Sequence, residues 1–121
     1  MSKDNIIVEK TYAFSVRIVN LYKYMATKNK EFVLSKQVLR SGTSIGANTE
    51  EAIGGISRKD FIAKKLSISY KEARETHYWL RLLKDTGYIN LKLFKSLAKD
   101  CDEILRILFS IIKSSRENSV Q

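Results

Sequence analysis

The sequence predicts an all-α protein, an antiparallel four-helix bundle with up-down-up-down topology. Apolar residues recur at steps of three and four over four long segments, which is the spacing of one helix face. No segment shows the alternation of a half-buried strand, and the 121 residues contain no proline. Long, uninterrupted helices joined by short loops follow from these observations.

The first two helices are predicted over residues 5–28 and 34–53. The apolar stripe of the first consists of Ile7, Thr11, Phe14, Ile18, Leu21 and Met25. The stripe of the second consists of Leu34, Val38, Ser41, Ile45, Asn48 and Ala52. Gly54 and Gly55 end the second helix, as glycines commonly do. Asn48 is predicted to be buried and hydrogen-bonded, and a role in helix register is favoured over ligand binding.

The third and fourth helices are predicted over residues 58–86 and 91–114. Ser57 is the expected N-cap of the third, Asp60 completes a capping box, and Gly87 ends the helix. Its stripe consists of Ile62, Leu66, Ser69, Ala73, Thr76, Leu80 and Leu83. Asn90 is the expected N-cap of the fourth, whose stripe consists of Phe94, Leu97, Cys101, Ile104, Leu108 and Ile111. The polar tail, residues 115–121, is expected to fray.

The amino-acid composition indicates the cellular compartment of the protein and the class of its binding partner. The net charge is +9, from 22 basic and 13 acidic residues. Such an excess fits a polyanionic partner such as RNA or DNA, although a basic surface that only maintains solubility is an equal alternative. The single cysteine forms no internal disulfide, and no apolar run approaches the roughly 20 residues of a membrane span. A cytoplasmic location is therefore expected.

One outer face of the third helix predicts a nucleic-acid-binding site. Besides Ser67, this basic stripe with one aromatic residue contains Lys64, Lys71, Arg74, Tyr78 and Arg81. Cations at this spacing can follow phosphates, and the aromatic ring can stack on an exposed base. Arg40 and Arg58 are secondary candidates for the same site. The alternative is a solvated outer face whose field Glu75 and Asp60 dilute.

A second apolar face of the third helix predicts a subunit interface. It contains Ile68, Leu82 and the chain's one tryptophan, Trp79, a residue type enriched in interfaces. Gly42 and Gly46 lie four residues apart on the second helix, which indicates close packing either within the bundle or between subunits. On the first helix, Tyr12, Val16 and Val19 also lie away from the core stripe. The alternative is a tryptophan wedged at the edge of the bundle.

The sequence predicts no active site, no metal site and no cofactor. His77 is the one histidine, and no Glu-x-x-His pair accompanies it. The carboxylate pairs Glu50/Glu51 and Glu72/Glu75 have basic neighbours that can neutralise them. Cys101 falls in the core stripe and is expected to be inert. A weaker hypothesis is an enzyme that uses Glu51 or Glu72 together with His77.

The stretch from Ser44 to Phe61, followed by KEARETHYWL and GYI, resembles the signature of the 23S rRNA intervening-sequence proteins, also called the S23 ribosomal protein family. The alignment runs without a gap through Arg40, Ser44, Ile45, Ala47, Asn48, Glu51, Gly54, Ser57, Lys59 and Phe61. There are three departures. Gly46 replaces the usual proline, Ala52 a glycine and Gly55 an arginine.

The resemblance implies a four-helix bundle. Proteins of this family are encoded within insertions in large-subunit rRNA genes or elsewhere in bacterial genomes. The family is similar to the accessory variability protein of diversity-generating retroelements, a basic pentameric barrel that binds reverse transcriptase and nucleic acid. By this analogy we expect a non-enzymatic, homo-oligomeric barrel, specifically a pentamer. The analogy also implies that it binds RNA or DNA and that a reverse transcriptase is an example of its protein partner. The alternative is a protein-interaction scaffold whose positive charge is incidental.

Overall fold

Four long helices make up the computed structural model, which describes residues 2–55 and 58–120, with side chains described as far as Glu117. The helices are α1 (Lys3–Tyr24), α2 (Leu34–Gly54), α3 (Lys59–Asp85) and α4 (Leu91–Val120). A π-helical turn, Met25–Asn29, continues α1. No strand occurs in the described ranges, so the predicted all-α class is confirmed.

Contacts between neighbouring helices show that the bundle is antiparallel. Along the seam of α1 and α4, the residue number rises on one helix as it falls on the other. Lys3 contacts Ser110 at 2.6 Å, Lys10 contacts Glu103 at 2.5 Å, and Arg17 contacts Asp100 at 2.7 Å. Each helix packs on the next in the chain, and α4 closes the ring on α1. α1 and α3 therefore lie diagonally across the bundle.

The core follows the predicted stripes closely. All six stripe positions of α1 are buried, and so are Leu66, Leu80 and Leu83 on α3. On α2 the prediction for Asn48 is wrong: the side chain is only half-buried, and Thr49 takes the fully buried position. The Asn48 amide donates to the Ser44 carbonyl at 2.9 Å along its own helix. Leu34, Ile62 and Phe94 lie at the margin of the core rather than within it.

Buried hydroxyls join α2 to α3. Thr76 donates to the Ser41 hydroxyl oxygen at 2.9 Å, and Ser69 donates to the Ile45 carbonyl at 3.0 Å. The Thr49 hydroxyl lies 3.0 Å from that of Ser69. These small side chains let the two helix backbones come close, and among the described residues no buried side-chain N or O atom lacks a hydrogen-bond partner.

Gly42 and Gly46 pack against α1 inside the bundle, which is the first of the two predicted alternatives, so their candidate role in a subunit interface is wrong. A Cβ added to Gly42 would lie 2.7 and 2.8 Å from the two γ-carbons of Ile18. A Cβ added to Gly46 would lie 3.2 Å from the Thr11 carbonyl oxygen and from the Ser15 hydroxyl. The absence of side chains at these two positions allows α1 to approach α2.

The helix ends agree with the prediction at some caps and differ at others. The Asn90 side chain accepts from the backbone N–H of Leu93 at 2.8 Å, as a capping residue does. The predicted cap Ser57 lies outside the described residues, and α3 begins at Lys59. Instead of ending near Ser114, α4 continues to Val120. Arg116 donates to the Ser67 hydroxyl at 3.2 Å, which ties this last part of α4 to α3.

Glu31 caps the start of α2, a role that sequence reasoning missed. Its carboxylate accepts from the backbone N–H groups of Ser35 at 2.8 Å, Leu34 at 3.1 Å and Val33 at 3.2 Å. Burial acts to raise the pKa of Glu31, but the three N–H donors outweigh it and hold the pKa below its ordinary value. A negative charge here also complements the positive end of the helix dipole.

Gly42→Ala is expected to destabilise the bundle, because the stiff, branched Ile18 side chain occupies the space that the new methyl group needs. Overpacking lowers the free energy of unfolding by about 1–3 kcal/mol, and the better helix propensity of alanine raises it by up to about 1 kcal/mol. Urea unfolding should therefore show a loss of about 1–2 kcal/mol. Gly54→Ala is the matched control, because nothing lies within 4 Å of its added Cβ. Equal stability of the two variants would contradict this account of Gly42.

Glu31→Gln should lower the free energy of unfolding at pH 7 by about 0.5–2 kcal/mol, the usual cost of losing a helix cap. The pKa of Glu31 is lower in the folded protein than its ordinary value of 4.5. The ionised carboxylate therefore makes its full contribution to the free energy of unfolding above pH 4.5, and this contribution is lost as the pH falls through the folded pKa. Urea unfolding from pH 7 to pH 3 should show the wild type and the variant converging. Glu50→Gln, an exposed carboxylate on α2, is the control. A constant difference between wild type and Glu31→Gln at every pH would refute the linkage.

Candidate nucleic-acid interface

The five residues predicted on the outer surface of α3 share one exposed face. We call Lys64, Lys71, Arg74, Tyr78 and Arg81 the α3 basic face; all five are exposed. Within the part of the chain that the structure describes, no carboxylate lies at ion-pair distance from any of the four cations. The Arg81 guanidinium lies 5.8 Å from the centre of the Tyr78 ring. The face therefore presents uncompensated positive charge around an exposed aromatic ring.

The length of the α3 basic face suits an extended polyanion. Lys64 and Arg81 are 17 residues apart, which corresponds to about 25 Å along a helix. At about 3.4 Å per nucleotide of duplex, this distance corresponds to roughly seven nucleotides of one strand. A single helix thus carries enough charge to contact several successive phosphates.

The positive surface continues onto α4, which sequence reasoning did not predict. The rings of Tyr70 and Phe109 lie 6.3 Å apart, which places this part of α4 beside α3. Lys113 and Arg116 line one groove together with Lys71 of the α3 basic face. The signal was present in the sequence, since Arg106, Lys113 and Arg116 recur on one side of α4, away from its core stripe.

Arg40 is not available to the predicted site, so that assignment needs correction. Its guanidinium binds Glu72 at 3.1 Å and also contacts the Glu75 carboxylate. The pairs join α2 to α3 on the outside of the bundle and neutralise the arginine. Arg58 is 90% exposed and lies 3.8 Å from the carboxylate of Asp60, near the first turn of α3. It therefore lies at the end of the α3 basic face, with its charge partly compensated.

Trp79 lies at the edge of the bundle rather than on an open surface. Its ring is partly buried against the core, and its indole N–H donates to Glu75 at 2.9 Å. Leu82 is likewise partly buried, whereas Ile68 is 39% exposed. These positions favour the alternative interpretation of Trp79, and the subunit interface at Ile68 and Leu82 stays a prediction. The predicted apolar residues of α1 are all exposed, namely Tyr12, Val16 and Val19.

The candidate acid–base residues face different neighbours. His77 on α3 lies 3.6 Å from Asp102 of α4 and packs edge-on against Phe94. Glu72, on the other side of α3, binds Arg40 of α2. Glu51 binds Lys65 at 2.7 Å. Neither glutamate is therefore brought together with His77, and across the described residues no three potential metal ligands form a group.

Cys101 is buried between α3 and α4. Its thiol lies 3.3 Å from the Ala73 carbonyl, to which it can donate. Burial, assisted by the nearby carboxylates of Asp102 and Asp100, raises the pKa of Cys101 to about 12. The thiol is therefore neutral at physiological pH and has little nucleophilic character.

Comparison with known proteins agrees with this geometry. The sequence pattern of the 23S rRNA-intervening sequence proteins matches residues 3–110. The chain belongs to this family. Family membership confirms the resemblance drawn from the residues around Asn48 and Gly54, and it accounts for the four-helix bundle.

The family also includes a solved structure that this chain closely resembles. It is the crystal structure of a protein of unknown function from the S23 ribosomal protein family of Bacteroides thetaiotaomicron. The sequences are 53% identical, the TM-score is 0.89, and the match covers 93% of this chain and 99% of the other. Among curated proteins, none matches this member of the family. Within the described ranges, no helix is long and apolar enough to cross a lipid bilayer.

Cys101 in the folded protein should react very slowly with a thiol reagent at pH 8. A pKa of about 12 leaves a thiolate fraction roughly a thousandfold lower than that of an ordinary thiol, and burial also blocks access. Complete reaction is expected only after unfolding in urea. The control is Cys101→Ala combined with Ser114→Cys, which moves the thiol to an exposed position on α4. Rapid labelling of native Cys101 would contradict the assignment.

Proposed function

We propose that this family member is a non-enzymatic nucleic-acid-binding protein that acts as a homo-oligomer in the cytoplasm. The observation that carries the proposal is the α3 basic face. Its four cations are exposed and, among the described side chains, have no carboxylate at ion-pair distance. RNA or DNA supplies the missing negative charge in a regular row.

Other cations of the bundle provide the contrast that supports this assignment. Lys10 and Arg17 of α1 bind carboxylates of α4, and Arg40 of α2 binds two carboxylates of α3. Lys65, on the same helix as the α3 basic face, binds Glu51 of α2. These cations bridge helices and thereby serve the fold. The cations of the α3 basic face bridge no two helices through a carboxylate within the described ranges, so their charge is available to a partner.

Binding at such a face is driven by release of counterions from the nucleic-acid backbone. Each lysine or arginine that contacts a phosphate releases condensed cations, so affinity falls steeply as salt rises. Phosphate contacts fix the position of the protein without reading the sequence. Tyr78, half-exposed beside Arg81, adds a ring on which an unpaired base can stack.

Exposed apolar side chains support self-association. Tyr12 is 63% exposed and Val16 46% exposed on α1, and Ile68 is exposed on α3. Tyr12, Val16 and Val19 together form an exposed apolar stripe on one face of α1, and contiguous stripes of this kind are typical of contact surfaces. A homo-oligomer, a pentamer by the family analogy, would bury them and repeat the α3 basic face around its perimeter.

A second candidate function is a scaffold that docks another protein, for which a reverse transcriptase is the example that the family analogy offers. The exposed apolar residues of α1 favour it, because α1 lies diagonally opposite α3. A partner protein held there would leave the α3 basic face free.

Replacing Lys64, Lys71, Arg74 and Arg81 together with glutamine should weaken RNA binding and reduce its salt dependence. The slope of log affinity against log salt should fall by roughly one unit for each phosphate that the variant no longer binds. Fluorescence anisotropy with a labelled structured RNA, from low to moderate salt, measures both quantities. The four positions are exposed, so the fold should persist.

The matched control removes the same charge elsewhere, by replacing Lys3, Lys23, Lys28 and Lys30 with glutamine. Lys23, Lys28 and Lys30 lie at the end of α1 or in the turn after it, and Lys3, at the start of α1, donates to Ser110 of α4, so none of the four belongs to the α3 basic face. The proposal expects the control to keep most of the affinity and slope. If both variants lose binding equally, the net charge matters and the α3 basic face has no special role; if neither changes, the nucleic-acid proposal is wrong.

A further inference from the structure

The groove between α3 and the last turns of α4 combines an apolar aromatic floor with a cationic rim. Its volume is about 520 Å³, within the range of about 300–1,000 Å³ that is usual for small-ligand sites. Tyr70, Phe109 and Ile112 supply the apolar part of the lining. The three cations of the lining are Lys71, Lys113 and Arg116.

The Phe109 ring is exposed at a position where it does not belong to the packed core of the bundle. It is 58% exposed, although its neighbours Leu108, Ile111 and Ile112 are buried in the core. Its ring plane is inclined by 47° to that of Tyr70, with 6.3 Å between the centroids, so Tyr70 does not cover it. The open ring at the groove is therefore a feature that core packing does not explain.

The charges around this ring specify an anionic occupant. Lys71 and Lys113 are exposed on the two sides of the groove, and the Arg116 guanidinium is oriented by its 3.2 Å bond to the Ser67 hydroxyl. Among the described residues that line the groove, Glu117 is the one carboxylate. Lys71 and Lys113 alone outnumber it, so the described rim keeps a net positive charge. An occupant that offers both a flat apolar ring and flanking negative charges complements this surface.

We propose that the groove is a stacking site for an unpaired nucleotide of a single-stranded or locally melted nucleic acid. The base lies on the Phe109 ring, and the flanking phosphates contact Lys71, Lys113 and Arg116. A base inside a duplex is stacked between its neighbours and has no free face to offer. This inference rests on the proposed nucleic-acid binding and adds the class of nucleic acid. Since Lys71 belongs to both surfaces, one strand can run from the α3 basic face into the groove.

The test compares the affinity of the full chain for two fluorescein-labelled RNAs at two salt concentrations. One is an unstructured single strand of about 12 nucleotides, within the site size of ~4–16 nucleotides known for stacking platforms. The other is a blunt duplex of the same length. Phe109→Ala removes the ring, Phe109→Tyr retains it, and Tyr24→Ala removes an exposed ring from the end of α1, outside the apolar surface proposed for self-association.

Phe109→Ala is expected to bind the single strand about tenfold more weakly and the duplex within about twofold of wild type. Phe109→Tyr and Tyr24→Ala should both bind like the wild type. If Phe109→Ala binds the single strand like the wild type, the stacking site is wrong while the α3 basic face stands. The same holds if its only effect is a changed oligomeric mass in light scattering, because Phe109 then serves self-association.

Equal loss of single-strand and duplex binding in Phe109→Ala would overturn the selectivity for unpaired nucleotides. A wild-type protein that binds neither RNA at low salt would overturn both the proposed function and this inference. The two failures are thus distinguishable, because the first needs a wild type that binds and the second a wild type that does not.

Discussion

The close approach of α2 to both of its neighbours is the constraint on which the rest of the bundle depends. On one side Gly42 and Gly46 meet α1, and on the other Ser41 and Thr49 meet α3. Each glycine within a helix lowers the stability of the fold by up to about 1 kcal/mol relative to alanine. The packing of α2 against α1 must therefore stabilise the fold by more than this amount. Because both faces of α2 carry small residues at these contacts, α2 adds Val38 and Ile45 to the core, and most of its bulk comes from large side chains of the other three helices, such as Phe14, Leu80 and Leu108.

The close packing between helices also determines where charged residues can form ion pairs that connect neighbouring helices. Lysine and arginine side chains reach across the outside of the seams between α1 and α4 and between α2 and α3. Exposed pairs of this kind are worth about 0–1 kcal/mol each, so they support the packing without replacing it. Along the seam between α3 and α4 the bridging groups are different. His77 faces Asp102, and Lys84 lies 4.4 Å from the centre of the Phe94 ring. The charged surface is therefore divided into a compensated part and an uncompensated part.

Most of the fold was predictable, because a stripe with heptad-like spacing identifies both the helix and its buried face. The error at Asn48 shows the limit of this reasoning. Steps of three and four from Ile45 fit Asn48 and Thr49 equally well, and the choice depends on Ser69 of the facing helix. The spacing of Gly42 and Gly46 predicted close packing but could not identify Ile18 as the neighbour.

The candidate site was predictable where it depends on one helix and unpredictable where it depends on two. Periodicity alone placed the α3 basic face on the surface. The pairing of Arg40 with Glu72 and Glu75 joins residues 32 and 35 positions apart, so it requires the register of α2 against α3. The same applies to the groove, where Phe109 and Lys113 meet Lys71 only because α4 runs antiparallel to α3.

The division of the charged surface has a kinetic consequence. A molecule that carries a row of uncompensated cations on one side is turned by the field of a distant polyanion before the two surfaces touch. Productive encounters then become more frequent than random collision allows, since fewer approaches arrive in the wrong orientation. The range of this steering is set by the Debye length, about 8 Å at physiological ionic strength. Under the proposed nucleic-acid binding, the speed of capture and the strength of binding therefore share one origin, which is the placement of the α3 basic face outside the network of interhelical ion pairs.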